Sequence, residues 1–468
     1  MTVPRLVVGS AEFVVHVYFP ATGPDAKRAS EDLTRLWQRC SYHLNLTKRV
    51  QGYAINLRCG DRPGDGDVLA ARRRDGPGKH QILVRRIHDT LCLALLCAPG
   101  TRTQSEHPWA ALEAGWDAVL RAETDSEHGS ALDTALGTVS VLQARLADGG
   151  PAPSQDDMTA LIGGPHPAGS PTWGPPASSG SLQCWEDVRD RAGEGWHRRR
   201  TRRFAVLAPA DKDAELSAWT WSRGDPALTP FAHYLRHAAV LRHEVQVWKE
   251  APLQELRRDA DAAIATVLRQ VARPDSPGRA QLSDAATRLL DLRARESGLV
   301  DRLTRVRDLE RSAAVAARNM NAHAPDPPDP QGLFADDREL AEWFARQLDG
   351  ERTALETVLE RSREASALAD LTAQRGRERV NLALTGVVGT LLMVLAAIQA
   401  FGYRVPVPDR VQPAIIASLG SVALLASLAV VRLIGAERRW TRWALGASAL
   451  LLIASLAWIP VAALGGPG

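Results

Sequence analysis

Hydrophobic and polar positions follow different periods in successive parts of this chain. Residues 12–19 (EFVVHVYF), 81–88 (QILVRRIH), 91–98 (LCLALLCA) and 137–146 (GTVSVLQARL) are short apolar runs of strand length. Between them, Leu33, Trp37, Cys40 and Leu44, and then Trp109, Leu112, Trp116 and Val119, recur at helical spacing. The order β-α-β-β-α-β predicts a ferredoxin-like α+β sandwich over residues 1–146.

From 147 to 181 the composition turns to Pro, Gly and Ser, which predicts a flexible linker. A small Trp-rich, β-containing region is expected at 182–229. In it, 202–209 (RRFAVLAP) reads as a strand, and alternation in 215–222 (ELSAWTWS) places Trp219 and Trp221 on one face. That face serves either a packed core or an aromatic contact with a partner. Over 230–379 apolar residues step by threes and fours: Leu299, Leu303, Val306, then Leu355, Val358, Leu359 and Ala365. This predicts a coiled-coil-like helical hairpin, broken at 323–332 (HAPDPPDPQG), that acts as a stalk and a route to homo-oligomers.

The closing part carries long uncharged runs at 380–403, 413–431 and 443–466, which predict helical spans at about 380–403, 413–435 and 443–464. Their length suits transmembrane helices, which makes the lipid bilayer an expected partner. Arg375, Arg377 and Arg379 precede the first run, and Arg438, Arg439 and Arg442 precede the third. By the positive-inside bias this predicts a multi-pass protein of the cell membrane, its N-terminal bulk cytoplasmic and its C-terminus extracytoplasmic. The interiors of the runs carry no ionisable residue to mark an ion path, so an anchor is the expected role.

Charge then narrows the classes. The formal charge is +3, and residues from Val380 onward supply +4 of it, leaving about −1 for the rest. Nucleic acid is therefore not an expected partner. Of 57 basic residues only five are lysine, so an arginine run is weak evidence for a site. Five cysteines without a C-x-x-C pair read as reduced thiols.

Candidate chemistry is sparse, and no cofactor or metal is expected. His233 and His237 have a zinc-compatible i, i+4 spacing, but no third ligand is evident. His128 and Cys184 follow the His-then-Cys order of a cysteine peptidase, yet "LQCWED" lacks a nucleophile motif. The run 197–204 (HRRRTRRF) could clamp anions through Arg199, Arg200 and Arg202, or form a solvated strand edge. With Trp219 and Trp221, these arginines are the candidate partner surface; no catalytic residue is assigned.

The stretch 202–244 (RRFAVLAPADKDAELSAWTWSRGDPALTPFAHYLRHAAVLRHE) resembles the CATRA family, the caspase- and TPR-repeat-associated component of actinobacterial conflict systems. The resemblance implies a component working beside caspase-like peptidases and TPR proteins in defence, and not the peptidase itself. The expected function is thus a membrane-anchored, non-enzymatic adaptor or effector. The alternatives are a CorA-like ion transporter without the usual filter motif and a cryptic cysteine peptidase.

Overall fold

The period-two runs assemble into one mixed sheet rather than two small β regions. A computed structural model describes residues 8–57, 66–99, 109–121, 130–146, 156–157, 161, 172–188, 200–222, 227–249, 253–272, 279–324, 333–402, 411–433 and 439–464. Its strands are β1 (Val8–Pro20), β2 (Lys48–Arg49), β3 (Val68–Arg73), β4 (Lys79–Ile87), β5 (Thr90–Ala98), β6 (Gly137–Leu146), β7 (Ala177–Ser179), β8 (Leu182–Glu186) and β9 (Thr201–Ala208). They form a nine-stranded sheet in the order β2-β3-β4-β5-β1-β6-β9-β8-β7. The four strands read from the sequence are β1, β4, β5 and β6, which lie side by side as β4-β5-β1-β6 with antiparallel neighbours.

Two expectations change here. The region 182–229 is not a separate domain: β9 runs parallel to β6 and β8 runs antiparallel to β9, so both extend the first sheet. Part of the expected linker is also structured, since Trp173 is buried and bridges Asp187, and 177–179 form the edge strand β7. Strand pairing is non-local, and a β-hairpin that can bury Trp173 and Trp185 gains more by joining the sheet than by standing alone.

Helices cover both faces of the sheet. On one side lie α1 (Ala26–His43) and α2 (Ala110–Arg121). Here Phe13, Val15, Val17 and Phe19 of β1 meet Leu33 and Trp37 of α1 and Trp116 of α2. On the other lie α3 (Asp213–Thr220) and α4 (Pro230–Lys249). The alternate β1 residues reach this layer: the Tyr18 hydroxyl donates to the Ala232 carbonyl at 2.9 Å, and the His16 ring bonds the Thr220 carbonyl at 3.3 Å. Tyr18→Phe should cost about 0.5–1.5 kcal/mol, read as a shifted urea midpoint at constant slope. Gly137 is required where β6 begins, because a Cβ there would come within 2.9 Å of the Ala239 Cβ on α4.

The remaining helices are α5 (Leu253–Val271), α6 (Arg279–Ala294), α7 (Leu299–His323), α8 (Ala335–Gly402), α9 (Gln412–Leu433) and α10 (Arg439–Leu464). The chain divides into two compact units, Met1–Pro252 with Thr304–Thr353, and Leu253–Leu303 with Ala354–Gly468. In the first, α8 brings Trp343 and Phe344 against Trp248 of α4 in edge-on ring contacts. In the second, the apolar seam of α5 (Leu256, Ala260, Ala263, Ile264) is buried, as are Leu289 and Leu292 of α6 and Leu355 and Val358 of α8. Arg361 of α8 pairs with Asp261 of α5 at 2.9 Å.

The described parts of the C-terminal runs are helical, and α8 continues without interruption to Gly402. Among the described residues, however, no helix is long and apolar enough to cross a membrane. The expected transmembrane spans, the bilayer as partner and the multi-pass localisation with its assigned sidedness are not supported. Lack of charge is not sufficient for a span, because small uncharged residues also serve helix–helix contact. Here α9 and α10 pack on one another, and Ala414, Ser421, Ala423, Ser448 and Ser455 along them are buried. The Ser421 and Ser455 hydroxyls bond carbonyls one turn back, at 2.7 Å each.

Candidate functional site: the arginines of β9 and their surroundings

Strand alternation decides the fate of the arginine run. Arg202 and Arg203 are adjacent on β9, so their side chains leave the sheet on opposite faces. On the α1/α2 face, Arg203 donates from Nε and Nη2 to the two oxygens of Glu113 on α2, both at 2.9 Å. Its guanidinium lies 5.5 Å from the Trp173 ring centroid. Paired carboxylate oxygens match the guanidinium fork, and the aromatic face stabilises the remaining cationic surface.

On the other face Arg202 is buried and forked onto Glu186 of β8, at 2.7 and 3.0 Å. Its Nη1 donates to Asp337 Oδ2 at 2.9 Å. Asp337, in the first turn of α8, also accepts from the Tyr234 hydroxyl at 2.9 Å and pairs with Arg242, both on α4. Burial by itself would raise the Asp337 carboxyl, but Arg202 and Arg242, with the hydrogen bonds from Tyr234 and Arg242, outweigh it and hold the carboxyl well below the usual range. Burial disfavours the Arg202 cation too, yet Asp337 and Glu186 overcompensate and fix its charge. Two arginines thus face two carboxylates in a closed, water-poor network.

The other candidates are dispersed. Arg200 is exposed and donates to the Asp133 carbonyl at 3.0 Å; Arg199 lies outside the described residues. Residues 213–220 are the helix α3, not the expected strand, so two positions no longer share a face. Trp219 stacks on Phe231 at 4.3 Å, whereas Trp221 packs on the cluster of Ala71, Leu83 and Ala94. Neither ring is more than half exposed, and both are spent on internal packing.

Cys184 faces away from solvent in β8, and burial, then Glu186, push its thiol well above the ordinary value. A thiol held protonated in this way is a poor nucleophile. His128 lies outside the described residues. His237 Nε2 accepts from Arg236 Nη2 at 2.9 Å, and the His233 ring stacks on His323 at 4.7 Å. Burial, with nearby Arg236, lowers His237 to about 3, and burial, with His323, lowers His233 to about 4. Among the described residues, no group of three or more His, Cys, Asp or Glu side chains could hold a metal ion.

Two family models match this chain. Residues 12–224 match the caspase and TPR repeat-associated N-terminal domain, CATRA-N, and residues 229–362 match the corresponding C-terminal domain, CATRA-C. The chain belongs to the CATRA family. No curated protein and no solved structure matches it.

The two family domains meet in the arginine–carboxylate network. Arg202 and Glu186 come from CATRA-N, whereas Tyr234, Arg242 and Asp337 come from CATRA-C. No pattern in the sequence marks Asp337, which stands 135 positions from Arg202. An Asp in the first turn of a helix is ordinary capping chemistry, and only the tertiary contact makes it an ion-pair centre.

Proposed function

We propose that this CATRA protein is a non-enzymatic adaptor that binds a protein partner, a caspase-like peptidase or a TPR protein, in a conflict system. The observation that carries the reading is the match to CATRA-N and CATRA-C across residues 12–362, whose family ties the chain to caspase- and TPR-associated systems. The state of the reactive groups supports it. Cys184 is buried and held protonated, and Arg202 and Arg203 are committed to internal carboxylates. Association of copies through the helices of the second unit belongs to the same proposal.

Capture of the tagged full chain from its native cells, with cross-linking and mass spectrometry, tests the reading. A caspase-like peptidase or a TPR protein should co-purify, and recovery of neither would overturn it. Cys184→Ala should leave that capture unchanged and abolish no peptide cleavage. Loss of a cleavage activity in this variant would favour the peptidase alternative instead. Light scattering on the purified chain reads self-association.

A further inference from the structure

The sheet ends at β2, a strand of two residues that is hydrogen-bonded to β3. Its register sets Lys48 opposite Arg73 and Arg49 opposite Arg72. Like charges directly opposite one another in an antiparallel pair are destabilising. Arg74, just after β3, and Lys79, the first residue of β4, add to them, so six cations gather at one corner of the sheet. Asp75 serves two of them, at 3.8 Å from Lys48 and 3.5 Å from Arg73, both loose contacts between exposed groups.

The two faces of the corner are not equivalent. Arg72 lies over the Trp37 ring at 5.4 Å and donates to the Ile55 carbonyl at 2.7 Å, while Arg49 donates to the Tyr53 carbonyl at 2.8 Å. These two are held by the fold. Lys48 and Arg73, on the opposite face, are 59% and 56% exposed and, among the described residues, share the ion pair with Asp75. This cationic corner contrasts with the balance of about −1 for the chain before Val380.

We propose that this corner docks an acidic, extended segment of a protein partner, added as a further strand beside β2. The proposal rests on the adaptor reading and names its surface and the partner's chemistry. A terminal strand offers main-chain donors and acceptors to an incoming strand. Acidic side chains on alternate positions of that strand would face Lys48 and Arg73 and relieve the repulsion the free protein carries. A protein strand is favoured over nucleic acid because the exposed cations flank a β edge, whose main-chain groups suit an incoming strand.

The test uses the purified full chain and a fluorescein-labelled peptide of alternating glutamate and threonine. A glutamine-for-glutamate peptide and a thymidine oligonucleotide of similar length serve as comparisons. Fluorescence anisotropy should show binding of the glutamate peptide, weakened about tenfold by K48E/R73E and weakened again by raised salt. Amide exchange at Lys48 and Arg49 should slow when the peptide is bound. The same variant should leave Tm within about 2 °C of the wild type, since exposed ion pairs such as those to Asp75 contribute little, which shows that lost binding is not lost folding.

No binding of the glutamate peptide, or equal binding by K48E/R73E, would overturn the proposal. Tighter, patch-dependent binding of the oligonucleotide would overturn it in favour of nucleic acid. The adaptor reading is separable: if native capture recovers the partner equally with the wild type and K48E/R73E, the docking corner fails while the adaptor stands. Peptide binding without any captured partner has the reverse meaning and leaves the corner's chemistry intact.

Discussion

Asp337→Ala is expected to destabilise the first compact unit by about 3–5 kcal/mol, read from urea unfolding followed by tryptophan fluorescence. The loss does not measure the strength of one ion pair. Removing the carboxylate leaves Arg242 and one arm of Arg202 buried without their anion, and leaves the Tyr234 hydroxyl without its acceptor. Uncompensated buried charge is the larger cost. Asp337→Asn keeps the shape and one acceptor oxygen, yet should still lose most of that stability because it removes the charge. Replacing Arg202, Arg242, Glu186 and Asp337 together by apolar residues of similar volume should recover much of it. A cost below about 1 kcal/mol for Asp337→Ala would show that water enters the network and solvates the stranded arginines.

Stability is expected to fall as pH drops from about 6.5 toward 4, with buried histidines rather than carboxylates responsible for the upper part of that window. His16 is the clearest source. It is fully buried, and burial, only partly opposed by its bond to Thr220, lowers its pKa from 6.5 to about 4. Burial also lowers His80 and His233 to about 4, and His237 to about 3. In the fold these rings stay neutral, whereas the unfolded chain takes up protons near 6.5, so the unfolded state binds more protons throughout that window. Each such histidine steepens the loss by about 1.4 kcal/mol per pH unit at most, and His16 alone accounts for about 3 kcal/mol across its shift. Asp337 acts in a lower window: its folded pKa is depressed, so its contribution is complete above its ordinary 3.8 and is lost as pH falls below that. Unfolding free energies measured from pH 7.5 to 4, with His16→Leu as comparison, should show the variant with the shallower slope. Parallel slopes would mean that His16 is protonated in the fold.

Several parts of this architecture were legible before any coordinates. β1, β4, β5 and β6 stand out because helices cover both faces of the sheet, which makes their sequences nearly continuous apolar runs. Leu33, Leu36, Trp37 and Cys40 mark the buried stripe of α1 for the same reason. The misreadings share a cause. Trp219 and Trp221 alternate like a strand, but Trp219 in the last turn of α3 and Trp221 just beyond it each find a separate partner, and local pattern cannot separate the two arrangements. The C-terminal runs stand out by length and lack of charge, quantities that a packed helix pair can also show.

What the sequence determined by itself was therefore short-range: the period of each strand and helix, the family resemblance near 202–244, and the scarcity of catalytic motifs. Tertiary structure decided which distant elements meet. It joined β9 to β6 across more than fifty residues, sent Arg202 and Arg203 to opposite layers, and set Asp337 between two arginines. The physical reason is that burial and charge pairing depend on distances through space. Strand alternation fixes which side an arginine takes, but only packing fixes whether an anion or water waits there.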